Sequence, residues 1–425
     1  MARVYVEVYG CSANLADAEF ISGLLVRSGH TPIASPMDAD GFIILTCVVK
    51  TPTERKMIKR LRELSSKGVP MVVAGCMPKA ERWLVDQAAP EASLIGPGDI
   101  HHAVEALEAA LERRRLEFID GEGFEKVLLP RLRRNPIIHI APIASGCLGS
   151  CSYCIVKVAR GHLHSYPADG VIEDARRALE EGCREIWVTA EDTAAYRWRS
   201  YKLPQLIDGL SELEGRFYIR VGMMTPNQAK KILEDLIEAY RSEKVFKFLH
   251  LPVQSGDDEI LRKMRRGYSV EDFREVVSSF REAFPSLSLS TDIIVGFPGE
   301  TEEQFRESLR LIEEVKPDVL NISRFWPRPC TEAERMPGQI HGRETKRRSS
   351  IMRWVWERIF QERSREWVGW KGEVLVDERG KGETMIGRNY AYRPIALKGN
   401  VKLGDFIEVA VKDARIGYLI GEAVG

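Results

Sequence analysis

Ile137-Ile-His-Ile-Ala-Pro-Ile-Ala-Ser145 runs straight into Gly146-Cys-Leu-Gly-Ser-Cys-Ser-Tyr-Cys154, and this join decides how the chain is read. The first part is an apolar, isoleucine-rich segment of strand length. The second is a loop that sets Cys147, Cys151 and Cys154 in a C-x3-C-x2-C spacing. Glycines between the cysteines let the backbone curl around the sulfurs and leave amide N–H groups to bond them. Three thiolates from one tight loop can hold three corners of a cubane iron–sulfur cluster, with the fourth iron open to a small molecule. Zinc is the competing chemistry, and it requires a fourth thiolate or histidine, which His162 or His164 could supply.

Outward from this join, strand-like and helical stretches alternate. Strands are expected at 137–145, 185–190, 216–222, 246–251, 287–295 and 318–323, with helical patterns between them. Asp169 is placed to cap one helix, and Thr301-Glu-Glu-Gln304 opens another with a capping-box signature. Six β/α units imply a partial TIM-like barrel, whose active site lies at the carboxyl ends of the strands, where the cysteine loop falls. Upstream, strands at 4–9, 41–46 and 70–74 alternate with helical stretches at 14–27, 53–66 and 79–87, which predicts a parallel sheet. Cys11, Cys47 and Cys76 each follow one of those strands. Loops beyond the carboxyl ends of parallel strands converge on one crevice, so the three cysteines are expected to meet as a second metal site. Small buried cysteines at strand ends are the bland alternative, but three identical placements favour the site.

The charged stretch 113–135 suits a linker. A helical run at 343–365 precedes five short strand-like pieces separated by Gly and Asn, which suggest a small β-barrel. The expected fold class is therefore α/β in three parts: an N-terminal parallel α/β domain at 1–112, a central partial TIM-like (β/α)6 barrel at 136–366, and a small antiparallel β-barrel at 367–425. Within the last, Arg388, Tyr390, Tyr392 and Arg393 cluster as either an RNA-stacking patch or the core of a structural cap.

Bulk properties bound the function. With 425 residues, 44% hydrophobic and 29% charged, the composition is that of ordinary globular domains, and no apolar run is long enough to cross a bilayer. The N-terminus leads directly into a strand, so no secretory signal is expected and the cytosol is the expected compartment. Eight cysteines there are not expected to form disulfides; Cys183 and Cys330, outside the two triads, are expected to be inert core residues. A formal net charge of zero excludes a uniform positive field, so RNA binding must be local. Basic clusters stand at 113–115, 131–134, 262–266 and 346–348, each read singly as a solvated face.

Together these regions resemble the radical S-adenosylmethionine methylthiotransferase family, and the resemblance covers nearly the whole chain. Tyr9-Gly-Cys-Ser-Ala-Asn14, Thr46-Cys-Val-Val-Lys-Thr-Pro-Thr-Glu54 and Ala74-Gly-Cys-Met-Pro78 look like the three ligand segments of its auxiliary cluster. Gln254-Ser-Gly256, Arg265-Arg-Gly-Tyr268 and Thr291-Asp-Ile-Ile-Val-Gly-Phe-Pro-Gly-Glu-Thr301 look like its barrel motifs, and the C-terminal piece looks like a TRAM domain. Gly146 to Gly161, Trp187-Val-Thr-Ala-Glu-Asp-Thr193 and Arg220-Val-Gly-Met223 point to the archaeal and eukaryotic branch, which methylthiolates N6-threonylcarbamoyladenosine beside the tRNA anticodon. Lys157 replaces a proline of other branches, Leu45 stands where asparagine is usual, and Ala194-Ala195 stands where glycine is expected.

The resemblance implies two [4Fe-4S] clusters, one on Cys147, Cys151 and Cys154 and one on Cys11, Cys47 and Cys76, with S-adenosylmethionine as cofactor. The first triad would cleave it to a 5′-deoxyadenosyl radical, which acts on the unactivated adenine C2–H; the second would hold the sulfur to be delivered. Thr189, Glu191 and Gln254 are chosen by position as S-adenosylmethionine contacts, while Asp292 reads as structural and no histidine is given a role. The implied partners are tRNA bearing threonylcarbamoyladenosine and an electron donor such as ferredoxin or flavodoxin, with no membrane. Rival readings are a methylthiotransferase for isopentenyladenosine or a ribosomal-protein aspartate, and a tRNA-binding protein with structural zinc.

Overall fold

The computed structural model describes residues 1–424, in two compact units. Unit 1 gathers residues 1–134, 140–174 and 326–334, and unit 2 gathers 135–139, 175–325 and the residues from 335 onward.

Unit 1 is built on a six-stranded sheet in the order β2-β1-β3-β4-β5-β6: β1 Arg3–Val8, β2 Thr31–Ile33, β3 Gly41–Thr46, β4 Met71–Gly75, β5 Ser93–Ile95 and β6 Glu117–Phe118. Every pairing is parallel. Helices cover both faces, so β3 and β4 are buried at every position and read as continuous apolar runs. β1, β3 and β4 are the three strands expected from the sequence. The additional β2, β5 and β6 are only two or three residues long, too short for a period to show. Helix Thr51–Ser66 lays Met57, Leu61 and Leu64 on the sheet around Ile44, Val73 and Leu94.

Of residues 113–135, expected to form a linker, 113–134 are packed into this unit. They contribute β6, and Lys126 reaches Asp17 at 2.5 Å while Arg131 reaches Asp174 at 2.6 Å. The cysteine loop lies in the same unit, framed by the antiparallel pair β8 Ala144–Ser145 and β9 His164–Ser165 and followed by helix Val156–Arg160. Residues 326–334 also belong here. Buried Arg328 holds Glu81 at 2.5 Å, pairs with Glu54 and bonds Thr51 Oγ1 at 3.2 Å.

Unit 2 carries the rest of the barrel. β7 Ile138–Pro142, whose first residues lie in this unit, joins β10 Glu185–Thr189 and β13 Tyr218–Val221 in one sheet. β14 Phe248–His250, β15 Ser288–Val295 and β16 Val319–Arg324 form another, all parallel, and a parallel bridge pairs Ile219 with Val245 ahead of β14. A short hairpin, β11 Arg197–Trp198 with β12 Tyr201–Lys202, projects after β10. The expected order of six strands is kept. The capping box at Thr301 is present, its Oγ1 accepting from the Gln304 amide at 3.2 Å.

The C-terminal strands β17 Lys371–Arg379, β18 Met385–Arg388, β19 Pro394–Leu397, β20 Phe406–Arg415 and β21 Tyr418–Ala423 close into a barrel in the order β17-β18-β19-β21-β20. One parallel pair, β19 with β21, sits among antiparallel ones. Val374, Val376, Ile395, Leu397, Val409, Val411 and Leu419 fill its interior.

Candidate metal centres

The N-terminal triad is set by the sheet. Cys11 follows β1 and precedes helix Ser12–Arg27, Cys47 follows β3, and Cys76 begins the short helix Cys76–Ala80 directly after β4. Two glycines make the convergence possible. Gly10 has φ +112°, and a Cβ there would lie 2.9 Å from Cys47 Cβ and 3.2 Å from its Sγ. Gly75 has φ +87°, and a Cβ there would lie 2.7 Å from the Thr46 carbonyl oxygen. Only glycine takes both the conformation and the close approach. Buried Asn14 ties the strand ends together, its Nδ2 donating to the carbonyls of Tyr9 at 2.7 Å and Thr46 at 2.9 Å. The three sulfurs lie within electrostatic reach of one another. Burial pushes the Cys47 thiol up and the Cys76 thiol to about 12, with the Arg160 guanidinium acting in the opposite direction on both.

The second triad is set locally. Gly146, at φ +77°, lets the chain pass the His162 carbonyl, which a Cβ would approach to 2.1 Å. The Gly149 amide donates to Cys147 Sγ at 3.2 Å, and a Cβ on Gly149 would stand 3.3 Å from Cys147 Sγ and 3.7 Å from Cys151 Sγ. The loop therefore wraps its glycine inside two of its own sulfurs. Lys157 Nζ donates to the Gly149 carbonyl at 2.8 Å, and the Ala333 amide donates to the Ser152 carbonyl at 2.8 Å, which holds the loop from outside. Burial pushes the Cys154 thiol up to about 11, the neighbouring Cys151 adding to it and the Val156 amide opposing it.

Arg160 reaches the N-terminal triad. It leaves the helix that follows the loop, donates through Nη2 to Asn14 Oδ1 at 2.8 Å and Asp17 Oδ2 at 3.1 Å, and hydrogen-bonds Cys76. One buried cation thus touches the residue that ties the N-terminal strand ends and a sulfur of that triad. All eight cysteines are thiols.

Both donor sets fit an iron–sulfur cluster: three sulfurs converge, glycine makes room, and amides or a guanidinium meet the charge. Among the described residues, no group of three or more His, Cys, Asp or Glu side chains closes on a single ion. His164 instead faces Tyr166, ring centroids 5.8 Å apart. Cys183 is buried and bonds the Pro136 carbonyl at 3.4 Å, as expected of a core thiol. Cys330 departs from that expectation: it is exposed on a turn in the 326–334 segment, at φ +63°.

The residues chosen for S-adenosylmethionine lie in unit 2. Thr189 ends β10 and is buried, Glu191 follows two residues later, and Gln254 lies beyond β14 at φ +72°. Backbone bonds enforce that strained conformation: the Gln254 amide donates to Asp292 O at 2.8 Å, and its carbonyl accepts from Ile294 at 2.9 Å. The same strands carry a group that the sequence reading passed over. His250 Nε2 lies 3.1 Å from Asp292 Oδ1, which also accepts from Asn321 Nδ2 at 2.7 Å. A carboxylate inside the apolar run 289–295, across from a histidine and an amide on adjacent strands, was the available signal.

Comparison with known proteins follows the same three-part architecture. The Radical SAM superfamily profile matches residues 142–312, the uncharacterized protein family UPF0004 matches residues 3–96, and the TRAM domain matches residues 366–424. A probable threonylcarbamoyladenosine tRNA methylthiotransferase of Pyrococcus horikoshii is 42% identical over 428 residues, covering 100% of both chains. The threonylcarbamoyladenosine tRNA methylthiotransferase of Homo sapiens is 34% identical over 442 residues, covering 99% of this chain and 74% of that one. The chain belongs to the threonylcarbamoyladenosine tRNA methylthiotransferase family. Among solved structures, the radical S-adenosylmethionine methyltransferase TsrM of Kitasatospora setae, with cobalamin and a [4Fe-4S] cluster bound, aligns with a TM-score of 0.57 at 15% identity, covering 78% of this chain and 77% of that one, and agrees in fold.

Within this methylthiotransferase the departures noted in the sequence sit quietly. Leu45 is buried in β3, and Ala194 and Ala195 form a buried helical turn, Thr193–Ala195. Lys157 has the bracing role described above. Within the Arg388 to Arg393 cluster, Arg388, Tyr392 and Arg393 pack as a structural cap, while Tyr390 stays exposed. Tyr392 is buried between Phe246 and Phe248, centroids 4.8 Å and 5.0 Å away, and Arg393 holds Asp318 at 2.6 Å. Arg388 holds Asp377 at 3.1 Å. Tyr392 and Arg393 seat the C-terminal barrel on the central one, while Arg388 pairs within the C-terminal barrel itself. Among the described residues, no helix is long and apolar enough to cross a membrane.

Proposed function

We propose that the protein adds a methylthio group to C2 of N6-threonylcarbamoyladenosine beside the anticodon of tRNA. In this reading Cys147, Cys151 and Cys154 hold a [4Fe-4S] cluster whose open iron takes S-adenosylmethionine, and Cys11, Cys47 and Cys76 hold the auxiliary [4Fe-4S] cluster. Bound there, the clusters and S-adenosylmethionine supply reductive carbon–sulfur cleavage, the methyl group and the sulfur. A low-potential donor such as ferredoxin or flavodoxin delivers the electrons.

The observation that carries this reading is the presence of two cysteine triads in one folded unit, with Arg160, from the helix after the second triad, bonded to Cys76 of the first. The chain's own residues have separable duties. Each triad presents thiolates only after losing protons that burial holds on Cys76 and Cys154, so cluster loading must release protons. Arg160 places positive charge against the auxiliary sulfurs and fixes Asn14. The Gly149 amide points at a sulfur of the radical triad. Thr189, Glu191 and Gln254 offer a hydroxyl, a carboxylate and an amide at strand ends, suited to a ligand with ammonium, carboxylate and ribose groups. The closed β-barrel at 371–423 is a fold of a kind that can bind RNA.

Anaerobic reconstitution followed by turnover on tRNA bearing threonylcarbamoyladenosine tests the reading. Mass analysis of the nucleosides should show a new 2-methylthio product. If only isopentenyladenosine tRNA is converted, the substrate is misassigned; if the purified protein carries stoichiometric zinc and no iron, the chemistry is.

A further inference from the structure

The basic run 346–348, read from the sequence as a solvated face, divides in the structure. Arg348 is buried and holds Glu300 at 2.7 Å, and Arg347 is paired with Glu344 at 2.7 Å and Glu302 at 2.5 Å. What remains is the outer face of helix Gly342–Arg365. This helix has 24 residues and spans about 36 Å. Thr345, Met352, Val355, Ile359 and Phe360 are buried along its inner face, so the opposite face is fixed toward solvent. Steps of three, four and seven residues along that outer face pass Arg343, Lys346, Arg353 and Arg365, all exposed and, among the described residues, without a carboxylate within salt-bridge distance. Among them stands Trp354, 59% exposed, with the Arg358 guanidinium 5.0 Å from its ring centre.

The chain's net charge is zero, so this stripe is a local excess, which is what RNA binding by a neutral chain requires. An exposed tryptophan flanked by cations matches the combination of base stacking and phosphate neutralisation used on nucleic acids, and an acidic protein surface would have no need of the ring. We propose that the outer face of helix Gly342–Arg365 is a docking surface for the tRNA backbone, with Arg343, Lys346, Arg353 and Arg365 on phosphates and Trp354 stacked on an exposed base. The proposal rests on the reading that tRNA is the substrate, and it assigns the contact to a helix outside the C-terminal barrel.

The test uses the full chain, purified anaerobically, carrying Arg343→Gln, Lys346→Gln, Arg353→Gln and Arg365→Gln together, with Trp354→Ala made separately. Binding of an unmodified tRNA transcript is followed by fluorescence anisotropy as salt is varied. The slope of log affinity against log salt should fall by about 3, since each lost phosphate contact removes about 0.7–0.9, and affinity near physiological salt should drop at least about ten-fold. Trp354→Ala should weaken binding while leaving the slope unchanged. An unchanged melting temperature establishes that the variants are folded, and a threefold variant with Arg343, Arg353 and Arg365 changed to Lys should keep the wild-type slope. Wild-type slope and affinity in the Gln variant would overturn the proposal, and so would intact tRNA binding with slowed reduction by an acidic flavodoxin, which would assign the face to an acidic protein. Because the transcript carries no modified nucleoside, a fallen slope supports the docking surface even if turnover on threonylcarbamoyladenosine fails, whereas normal turnover with an unchanged slope sinks the docking surface alone.

Discussion

The two cysteine triads supply the same three sulfurs by opposite means. Cys147, Cys151 and Cys154 come from eight consecutive residues, and their geometry is made by Gly146, Gly149 and the Lys157 brace. Cys11, Cys47 and Cys76 are spread across three βα units and meet only because β1, β3 and β4 are parallel neighbours whose carboxyl ends face one way. A local triad depends on a loop; a distributed triad depends on a whole domain. The local one should therefore tolerate damage to the sheet, and the distributed one should fail with any change that moves one strand end against another.

That contrast can be broken or sharpened by substitution. The largest effect is expected from Cys151→Ala, which should remove both 5′-deoxyadenosine and methylthio product while leaving the fold intact, as chromatography and circular dichroism would show. Next is Gly10→Ala, whose new Cβ is forced against Cys47 at φ +112°. It should lose about half of the bound iron, the share of one cubane of two, while 5′-deoxyadenosine formation persists; full iron content would show that the sheet yields more than its packing implies. Smaller is Arg160→Met. Removing the bonds to Asn14 and Asp17 should cost about 2 kcal/mol in denaturant unfolding, moderated because Lys126 still holds Asp17. It should also lower the auxiliary cluster's reduction potential, since a cation beside its sulfurs is gone.

The smallest effect lies outside both triads, at the seat of the C-terminal barrel. Burial, reinforced by the Asp377 carboxylate, pushes Glu185 up to about 8 from an ordinary 4.5. The folded state therefore holds this proton more tightly than the unfolded chain. The stability that follows is complete below about pH 4.5 and is lost as pH rises through about 8. Glu185→Gln, which can still accept from Trp187 Nε1, should melt close to wild type at pH 5 and above it at pH 8.5, with iron content unchanged. A parallel fall of both melting curves with pH would assign the dependence to other groups.

How much of this was legible in the sequence follows the same division. The local triad could be read directly, because spacing and glycines are themselves the geometry. The distributed triad could be read only through the repeated position of Cys11, Cys47 and Cys76 after apolar strands. Arg160, Asp17 and Lys126 gave no signal, since their partners lie more than a hundred residues apart in the chain. For the same reason residues 113–135 read as a tether: Lys126 and Arg131 look solvated until Asp17 and Asp174 are brought to them. At Tyr392 and Arg393 composition pointed equally to RNA and to packing, and the buried Asp318 partner decided for packing. Most of the barrel strands are long enough to show their pattern, whereas β2, β5 and β6 are not; β14, itself three residues long, was legible only within the longer run 246–251.

The central claim is that the two triads have separate duties, one generating the radical and the other delivering sulfur. Cys47→Ala, reconstituted anaerobically and supplied with S-adenosylmethionine, a reductant and tRNA bearing threonylcarbamoyladenosine, tests it most directly when both products are measured in one reaction. The account predicts 5′-deoxyadenosine at a substantial fraction of the wild-type amount and no 2-methylthio nucleoside. Methylthio product at the wild-type yield, or loss of both products in protein that retains the Cys147, Cys151 and Cys154 cluster, would contradict it.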